Sequence, residues 1–203
     1  MKEYLDIFDP NQHHIGQATR VQVHQNGLWH QTFHCWIVSE LQGRKYILFQ
    51  LRHPDKDIFP DLLDISAAGH LSVGEEPLDG VRELQEELGI QVEAEQLESI
   101  GVIEEEFSRE TFIDREFCHV FLHKSDRPLD AYMIQEDELI GLVHIELNQA
   151  MKLFKREITS AQVKGLMWNI EGLKEVDLTV TMDDFVPHSK EYYMKVLQSA
   201  DDI

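Results

Sequence analysis

The stretch from Gly69 to Ile90, GHLSVGEEPLDGVRELQEELGI, constrains the fold most, because it contains both a helix start and a helix stop. Pro77 suits the first turn of a helix, where its missing N–H costs nothing, and Gly89 suits the left-handed residue that often ends one. At roughly 100° per residue, the apolar positions should share one face and the glutamates the other. The apolar positions are Leu78, Val81, Leu84 and Leu88, and the acidic ones are Glu83, Glu86 and Glu87. The sequence therefore predicts a helix of about three turns with an exposed acidic face.

The acidic face of this helix needs a physical explanation. Carboxylates at spacing i, i+3 and i+4 repel one another, and Arg82, four residues before Glu86, relieves the repulsion only locally. A divalent hard cation such as Mg²⁺ would turn that repulsion into ligation by oxygen. Gly69 and Gly74 bracket a short turn before the helix, which lets the backbone approach whatever the carboxylates hold. On the residues alone, the alternative is that the acidic face is a solvated helix surface that binds no ligand.

The stretch resembles the Nudix box, G-x5-E-x7-R-E-U-x-E-E-x-G-U, in which U is an aliphatic residue. Gly69 and Glu75 have the spacing of the pattern. The second half matches residue for residue at Arg82, Glu83, Leu84, Glu86, Glu87, Gly89 and Ile90. Only the six residues 76–81 separate Glu75 from Arg82, one fewer than the pattern has. The junction between loop and helix must therefore be shorter here, and the placement of Glu75 stays open.

The resemblance implies an α/β (α+β) fold, the Nudix-type α/β/α sandwich with a mixed sheet, over residues 29–155. Strand-like segments before and after the box agree with such a layered fold. Residues 1–28 would form an N-terminal β-hairpin, with strands at 3–8 and 15–23, and residues 156–203 would form C-terminal helices. Helices are predicted over 160–176 and 188–200 from capping and apolar spacing. A chain of 203 residues is then expected to be a single domain.

The resemblance also implies Mg²⁺-dependent hydrolysis of a diphosphate linked to another group, with Mn²⁺ as the alternative cation. Cations held by carboxylates neutralise charge on phosphate oxygens and lower the pKa of bound water. By motif position, the expected metal ligands are Glu83, Glu86, Glu87 and the backbone carbonyl of Ala68. Glu83 is either a ligand or the acceptor of the attacking water's proton. Arg82 would orient the glutamates through ion pairing.

Charged residues outside the box are further candidates for this site. Arg52 and Lys56 are the nearest basic residues upstream, and they either bind phosphate oxygens of the substrate or lie in a solvated loop. Members of the superfamily often draw an additional carboxylate from a downstream loop, which here would be Glu136 or Glu138.

The histidines and cysteines of the first strands favour structural roles. His30 and His34 are an even number of residues apart, so they would share one face of a strand. With His24, they are expected to be structural or to line the substrate rather than to bind a metal. Cys35 and Cys118 each lie in an apolar segment, which predicts reduced core thiols and no disulfide.

The charge of the chain restricts its partners. With 38 acidic and 18 basic residues, the formal charge of −20 disfavours nucleic acid polymers and anionic membranes. The charged N-terminus and the lack of a long apolar run predict a cytoplasmic protein. The expected partner is a small-molecule diphosphate substrate, which so acidic a protein must hold through local basic residues or bound cations. The aromatic N-terminal strands and the C-terminal helices are candidate surfaces for a homodimer.

Two alternative functions remain. The segments EYLDIFD, IGQATR, GLWHQTFHCWI and LDISAAGHL are similar to proteins related to isopentenyl-diphosphate isomerase, which raises isomerisation of an alkene by protonation and deprotonation. That enzyme pattern needs a reactive cysteine just before the box, and residues 61–71, DLLDISAAGHL, contain none. Hydrolysis is therefore favoured. The other alternative is a Nudix-fold module that binds a ligand without turnover, but such modules typically lose box glutamates that this chain keeps.

Overall fold

The computed structural model of the chain describes residues 2–109, 112–136, 138–169 and 172–203. The strands are β1 (Tyr4–Phe8), β2 (His14–Thr19), β3 (Trp29–Leu41), β4 (Arg44–Arg52), β5 (Leu63–Asp64), β6 (Ala67–His70), β7 (Leu97–Arg109), β8 (Phe112–Lys124), β9 (Leu139–Glu146), β10 (Ala161–Asn169) and β11 (Gly172–Val180). The α-helices are α1 (Arg20–Asn26), α2 (Arg82–Leu88), α3 (Leu147–Phe154) and α4 (Lys190–Asp202). The strands join in one sheet with the backbone order β11-β10-β9-β4-β3-β1-β2, from which β5, β6, β7 and β8 branch.

Strand β3 contributes to two hydrophobic cores, because alternate side chains point to opposite faces of the sheet. Phe33 and Ile37 pack in the core that contains Leu84 of α2. Trp36 and Val38 belong to the other core, to which α3 and α4 contribute. Strand β3 also pairs in parallel with β8 and antiparallel with β4 and β6, so the sheet is mixed. The predicted α/β/α sandwich is thereby confirmed.

The two central strands β3 and β4 pair only between 38–41 and 44–47, and then separate. The gap is bridged by β5, which pairs with β4, and by β6, which pairs with β3. Ser66, between these two short strands, accepts a hydrogen bond from the Ile37 N–H at 2.9 Å and donates one to the Leu48 carbonyl at 2.5 Å. Strand β6 then delivers Gly69, the first residue of the box, to the edge of this gap.

Replacing Ser66 with alanine should lower the free energy of unfolding by about 1–3 kcal/mol, because the buried Ile37 N–H loses its acceptor. The measurement is denaturant unfolding followed by far-UV circular dichroism. Ser108→Ala is the matched control, since Ser108 is exposed on β7. Equal stability of the two variants would contradict the bridging role of Ser66.

Two elements differ from those that the sequence predicts. The strand expected over 15–23 ends at Thr19, because Thr19 and Gln22 form a capping box that starts α1. The helix expected over 160–176 is instead the antiparallel pair of strands β10 and β11, and the part of that prediction at 170–171 lies outside the described residues. Strand β10 pairs with 141–144 of β9, and this tertiary pairing outweighs the local helical pattern. Within its described residues, the C-terminal extension therefore holds two paired strands, a short 3₁₀ helix at Met182–Asp184 and one α-helix, α4.

Several predicted features are present as expected. The chain begins with the β1–β2 hairpin, and α4 covers most of the predicted range 188–200. Cys35 and Cys118 are buried free thiols, which confirms the expectation of reduced core cysteines. No helix within the described residues is long and apolar enough to cross a membrane.

Candidate active site

A cavity of about 720 Å³ lies where β3 and β4 separate. Eight of the residues predicted for the site line it: Arg52, Lys56, Ala68, Arg82, Glu83, Glu86, Glu87 and Glu138. Glu136 is exposed and is not part of the lining. The structure therefore brings together every predicted site residue except Glu136.

The helix of the box begins with a 3₁₀ segment, Pro77–Val81, and continues as α2. A 3₁₀ helix rises about 2.0 Å per residue and an α-helix about 1.5 Å, so the tighter winding covers the distance with fewer residues. Glu75 accepts hydrogen bonds from Arg82 Nε at 3.0 Å and Arg82 Nη2 at 3.1 Å. The shortened junction thus still places Glu75 beside Arg82. The helix ends at Gly89, whose φ of 66° is the left-handed conformation that the sequence predicts.

Strand β6 lies directly against the glutamates of α2. A Cβ atom on Gly69 would lie 2.0 Å from Glu83 Oε1, so glycine lets the Glu83 carboxylate lie against β6 in this position. The Ala68 N–H donates to Glu87 Oε2 at 3.1 Å. Backbone and carboxylates are therefore close enough to act on a common ligand.

The predicted exposure of the acidic face is wrong for two of its three glutamates. Glu83 is 9% exposed and Glu87 7% exposed, because β6 covers this side of α2, whereas Glu86 is exposed. Leu78, predicted to belong to the apolar face, is exposed as well. The 3₁₀ segment has 3.0 residues per turn instead of 3.6, which rotates Leu78 away from the face formed by Leu84.

Burial changes the protonation of these carboxylates. It raises the pKa of Glu83 to about 7, although the positive charge of Arg82 acts in the opposite direction. Burial, followed by the charge of Glu83, raises the pKa of Glu87 well above its usual range. Arg82 Nη1 donates to Glu83 and, at 3.3 Å, to Glu86. One guanidinium cannot neutralise three carboxylates, so the donor set fits a hard divalent cation.

The predicted phosphate-binding residues each have a carboxylate partner. Arg52 Nη1 donates to Asp64 Oδ2 at 2.6 Å, and Arg52 Nη2 donates to the Ile58 carbonyl at 3.1 Å. The ammonium of Lys56 forms an ion pair with Glu138. Both cationic groups lie at the cavity, as a diphosphate would require.

The structure holds a second cluster of donor atoms that includes His24 and His30, for which the sequence favours structural or substrate-lining roles over metal binding. Ligand atoms of His24, His30 and His70, from α1, β3 and β6, lie within 4.8 Å of one another, and so do those of His30, Asp114 and Glu116. The parallel register of β3 and β8 places His30 opposite Glu116, more than 80 positions away in sequence. The alternation of Asp114 and Glu116 on β8 was the available signal, since such residues share a strand face.

The donor atoms of the second cluster are suited to bind a metal ion. Nε2 of His24, His30 and His70 and Oδ1 of Asp114 are buried and have no hydrogen-bond partner among the described residues. Burial lowers the pKa of His30 to about 4 and that of His70 well below its usual range, so both imidazoles are neutral and available as ligands. Imidazoles combined with carboxylates form a donor set that suits divalent transition metals.

His188, just before α4, contributes a buried imidazole to the cavity lining. It lies between two carboxylates, with Nε2 at 3.2 Å from Asp64 Oδ1 and Nδ1 at 3.3 Å from Glu105 Oε2. Burial alone would lower the pKa of His188, but the hydrogen bonds to Asp64 and Glu105 outweigh it and raise the pKa to about 9. The imidazole is therefore protonated at neutral pH.

The stability of the protein should fall as the pH rises through about 9, because His188 then loses its proton. Since the folded-state pKa exceeds the usual 6.5, the stabilisation is fully present below pH 6.5 and is lost towards pH 9. Its size is on the order of 1–3 kcal/mol. Unfolding free energies of the wild type and His188→Gln, compared at pH 6 and 9.5, measure it. Identical pH dependence of the two proteins would contradict this assignment.

Comparison with known proteins identifies the family. The NUDIX domain model matches residues 28–164. An uncharacterized Nudix hydrolase of Clostridium acetobutylicum is 42% identical over 199 residues, which are 98% of this chain and 97% of that protein. An isopentenyl-diphosphate Delta-isomerase of Serratia proteamaculans is 33% identical over 123 residues, 60% of this chain and 66% of that protein.

Solved structures share the fold. A crystal structure from Deinococcus radiodurans has a TM-score of 0.57 and 20% identity, covering 76% of this chain and 88% of that one. The MutT protein of Methanosarcina mazei has a TM-score of 0.55 and 13% identity, covering 86% and 96%. At these identities the structures support the fold alone. The family model and the full-length relative show more, and the chain therefore belongs to the Nudix hydrolase family, as residues 69–90 predict.

Proposed function

We propose that the protein is a divalent-cation-dependent hydrolase that cleaves the diphosphate linkage of a small, nucleotide-like or isoprenoid-like molecule. The observation that carries this proposal is the burial of Glu83 and Glu87 against Ala68 and Gly69 at the cavity. Buried carboxylates that Arg82 cannot neutralise are costly unless a cation binds them. A substrate that brings negatively charged phosphates needs the same cation, so one ion answers both requirements.

The residues of the box have two roles in this reaction, cation binding and positioning of the glutamates. Glu83, Glu86, Glu87 and the carbonyl of Ala68 would hold Mg²⁺, with Mn²⁺ as the alternative. When bound, the cation neutralises charge on phosphate oxygens and lowers the pKa of bound water. Arg82 holds the glutamates in place through the ion pairs described above.

The remaining groups act on the substrate. Arg52 and Lys56 bind diphosphate oxygens, with Arg52 offering a fork of donors and Lys56 a point charge. Water attacks phosphorus and a P–O bond of the anhydride breaks. The proton released by the water passes to a base in the site, and Glu83 would be that base if it does not bind the cation. The second cluster, with His30, Asp114 and Glu116 at its centre, would hold a transition metal beside this site.

Isomerisation of an isopentenyl diphosphate is the second candidate function, because the Serratia relative is an enzyme of that name. The cysteines of this chain argue against it. Cys35 and Cys118 are both buried, and neither lines the cavity. Burial raises the pKa of both thiols, which keeps them protonated and unreactive.

A substrate screen tests the proposal. Nucleoside di- and triphosphates, nucleotide sugars, dinucleotides and isoprenoid diphosphates are incubated with the protein and Mg²⁺ or Mn²⁺, with Glu87→Gln as the blank. We expect cation-dependent hydrolysis of at least one class. The absence of hydrolysis in all of them, or an allylic isomer formed from isopentenyl diphosphate, would reverse the assignment.

A further inference from the structure

Four charged side chains form a continuous row along the cavity wall, in the order Arg52, Asp64, His188 and Glu105. Because the His188 imidazole is protonated, the charges alternate from positive to negative along the row. Burial alone would raise the pKa of Asp64 and of Glu105. The hydrogen bond and charge of His188, together with Arg52 and the Ile65 N–H for Asp64 and with Ser189 for Glu105, outweigh burial and lower both pKa values, so both carboxylates are ionised. Each inner member of the row therefore has an oppositely charged neighbour on either side.

The far end of the row is fixed by the start of α4. Glu105 accepts hydrogen bonds from the Ser189 N–H at 3.1 Å and from the Ser189 hydroxyl at 2.5 Å. The His188 ring stacks on Tyr192, with ring centroids 4.7 Å apart. Asp64 is held additionally by the N–H of Ile65 at 2.8 Å. The imidazole consequently has contacts on both edges and on one ring face, and its orientation is determined.

The near end of the row is Arg52, which lines the cavity and which we assign to substrate binding. Arg52 uses Nη1 for Asp64 and Nη2 for the Ile58 carbonyl, while its buried Nε has no hydrogen-bond acceptor among the described residues. Without His188, Asp64 Oδ1 would keep the hydrogen bond from the Ile65 N–H but would lose its charged partner. The carboxylate would then be restrained less, and the guanidinium that it binds through Oδ2 would be held less firmly in its direction.

We propose that His188 is a positioning residue which, through Asp64, fixes the Arg52 guanidinium for binding a diphosphate oxygen of the substrate. The inference rests on the proposed function and extends the site beyond residues 28–164, the part of the chain that the family model matches. The segment before α4 thereby contributes to substrate affinity without touching the substrate.

A double-mutant cycle tests this coupling. The probe is methylenediphosphonate, whose P–C–P bridge resists hydrolysis, and its affinity in the presence of Mg²⁺ is measured by calorimetry. We expect His188→Gln to weaken binding about tenfold in the wild-type background and to have no further effect in Arg52→Gln. His144→Gln is the matched control, because His144 is also a buried histidine but does not line the cavity. The control should bind the probe within about twofold of the wild type.

Three results would overturn the proposal: unchanged affinity in His188→Gln, an equal loss in both backgrounds, or no binding of the probe by the wild-type protein. The cycle measures binding alone, so the coupling can be established even if the substrate screen finds no hydrolysis, and that combination would reject only the proposed reaction.

A second measurement covers the case in which His188→Gln does not fold. The imidazole ¹⁵N signals of His188 are recorded in the unsubstituted protein and in Arg52→Gln, with and without methylenediphosphonate. The probe should shift these signals in the unsubstituted protein and leave them unchanged in Arg52→Gln. Signals that do not respond to the probe in either protein would refute the coupling.

Discussion

Replacing Glu87 with glutamine is expected to lower cation-dependent hydrolysis by more than about 100-fold, beyond the 10–100-fold typical of outer-shell partners of a metal. Glutamine has the shape of glutamate but lacks the charge that a hard cation requires. Its side-chain oxygen can still accept the hydrogen bond that the Ala68 N–H donates to Glu87. Initial rates at saturating Mg²⁺ measure the effect, using the substrate that the screen identifies.

The stability of the same variant distinguishes a functional role from a structural one. Because a buried carboxylate is disfavoured by desolvation, Glu87→Gln should be at least as stable as the wild type when no metal is present. Glu98→Gln is the matched control, since Glu98 is exposed on β7 and away from the cavity. Hydrolysis by Glu87→Gln at the rate of this control would remove Glu87 from the catalytic site.

Replacing His30 with glutamine should weaken the binding of a transition metal by more than about 100-fold, because His30 belongs to both donor groups of the second cluster. The neutral imidazole supplies a nitrogen ligand that a glutamine amide replaces poorly. The measurement is the metal content of the purified protein after dialysis against Mn²⁺, Co²⁺ or Zn²⁺, combined with competition by a chelator.

His144→Gln controls for the loss of any buried histidine, and circular dichroism controls for folding. Equal metal content in His30→Gln and His144→Gln would show that the cluster of His24, His30 and His70 does not bind metal. The glutamates are unchanged in both variants, so a difference in metal content between the two variants reports the second cluster.

The helix of the box and its candidate metal ligands could be predicted from the sequence, because the residues that specify them are close together in the chain. Pro77, Gly89 and the glutamates between them specify a helix start, a helix stop and a donor set within about three turns. The junction between Glu75 and Arg82 is one residue shorter than in the motif, and the 3₁₀ winding of this junction still brings Glu75 to Arg82. The burial of Glu87 was not predictable in this way, because helical periodicity does not reveal that β6 covers the acidic side of α2.

The rest of the site depends on strand pairing between distant segments. His30 lies opposite Glu116 because β3 and β8 pair in parallel, and this register cannot be predicted from the spacing of residues in the sequence. Strands β10 and β11 also depend on distant pairing. Their apolar residues have a helical spacing, but the pairing of β10 with β9 makes the segment a strand. His188 is an isolated histidine in the sequence, and its two carboxylate partners come from β5 and β7.

The cavity wall draws on both ends of the chain, with His24 before the region of the family model and His188 after it. During synthesis, the box helix is therefore made well before its surroundings are complete. A nascent chain that has emerged only to residue 164 already contains every glutamate of the box but lacks the imidazolium that holds Asp64. Competence to bind a diphosphate tightly should accordingly arise only after the segment preceding α4 has left the ribosome.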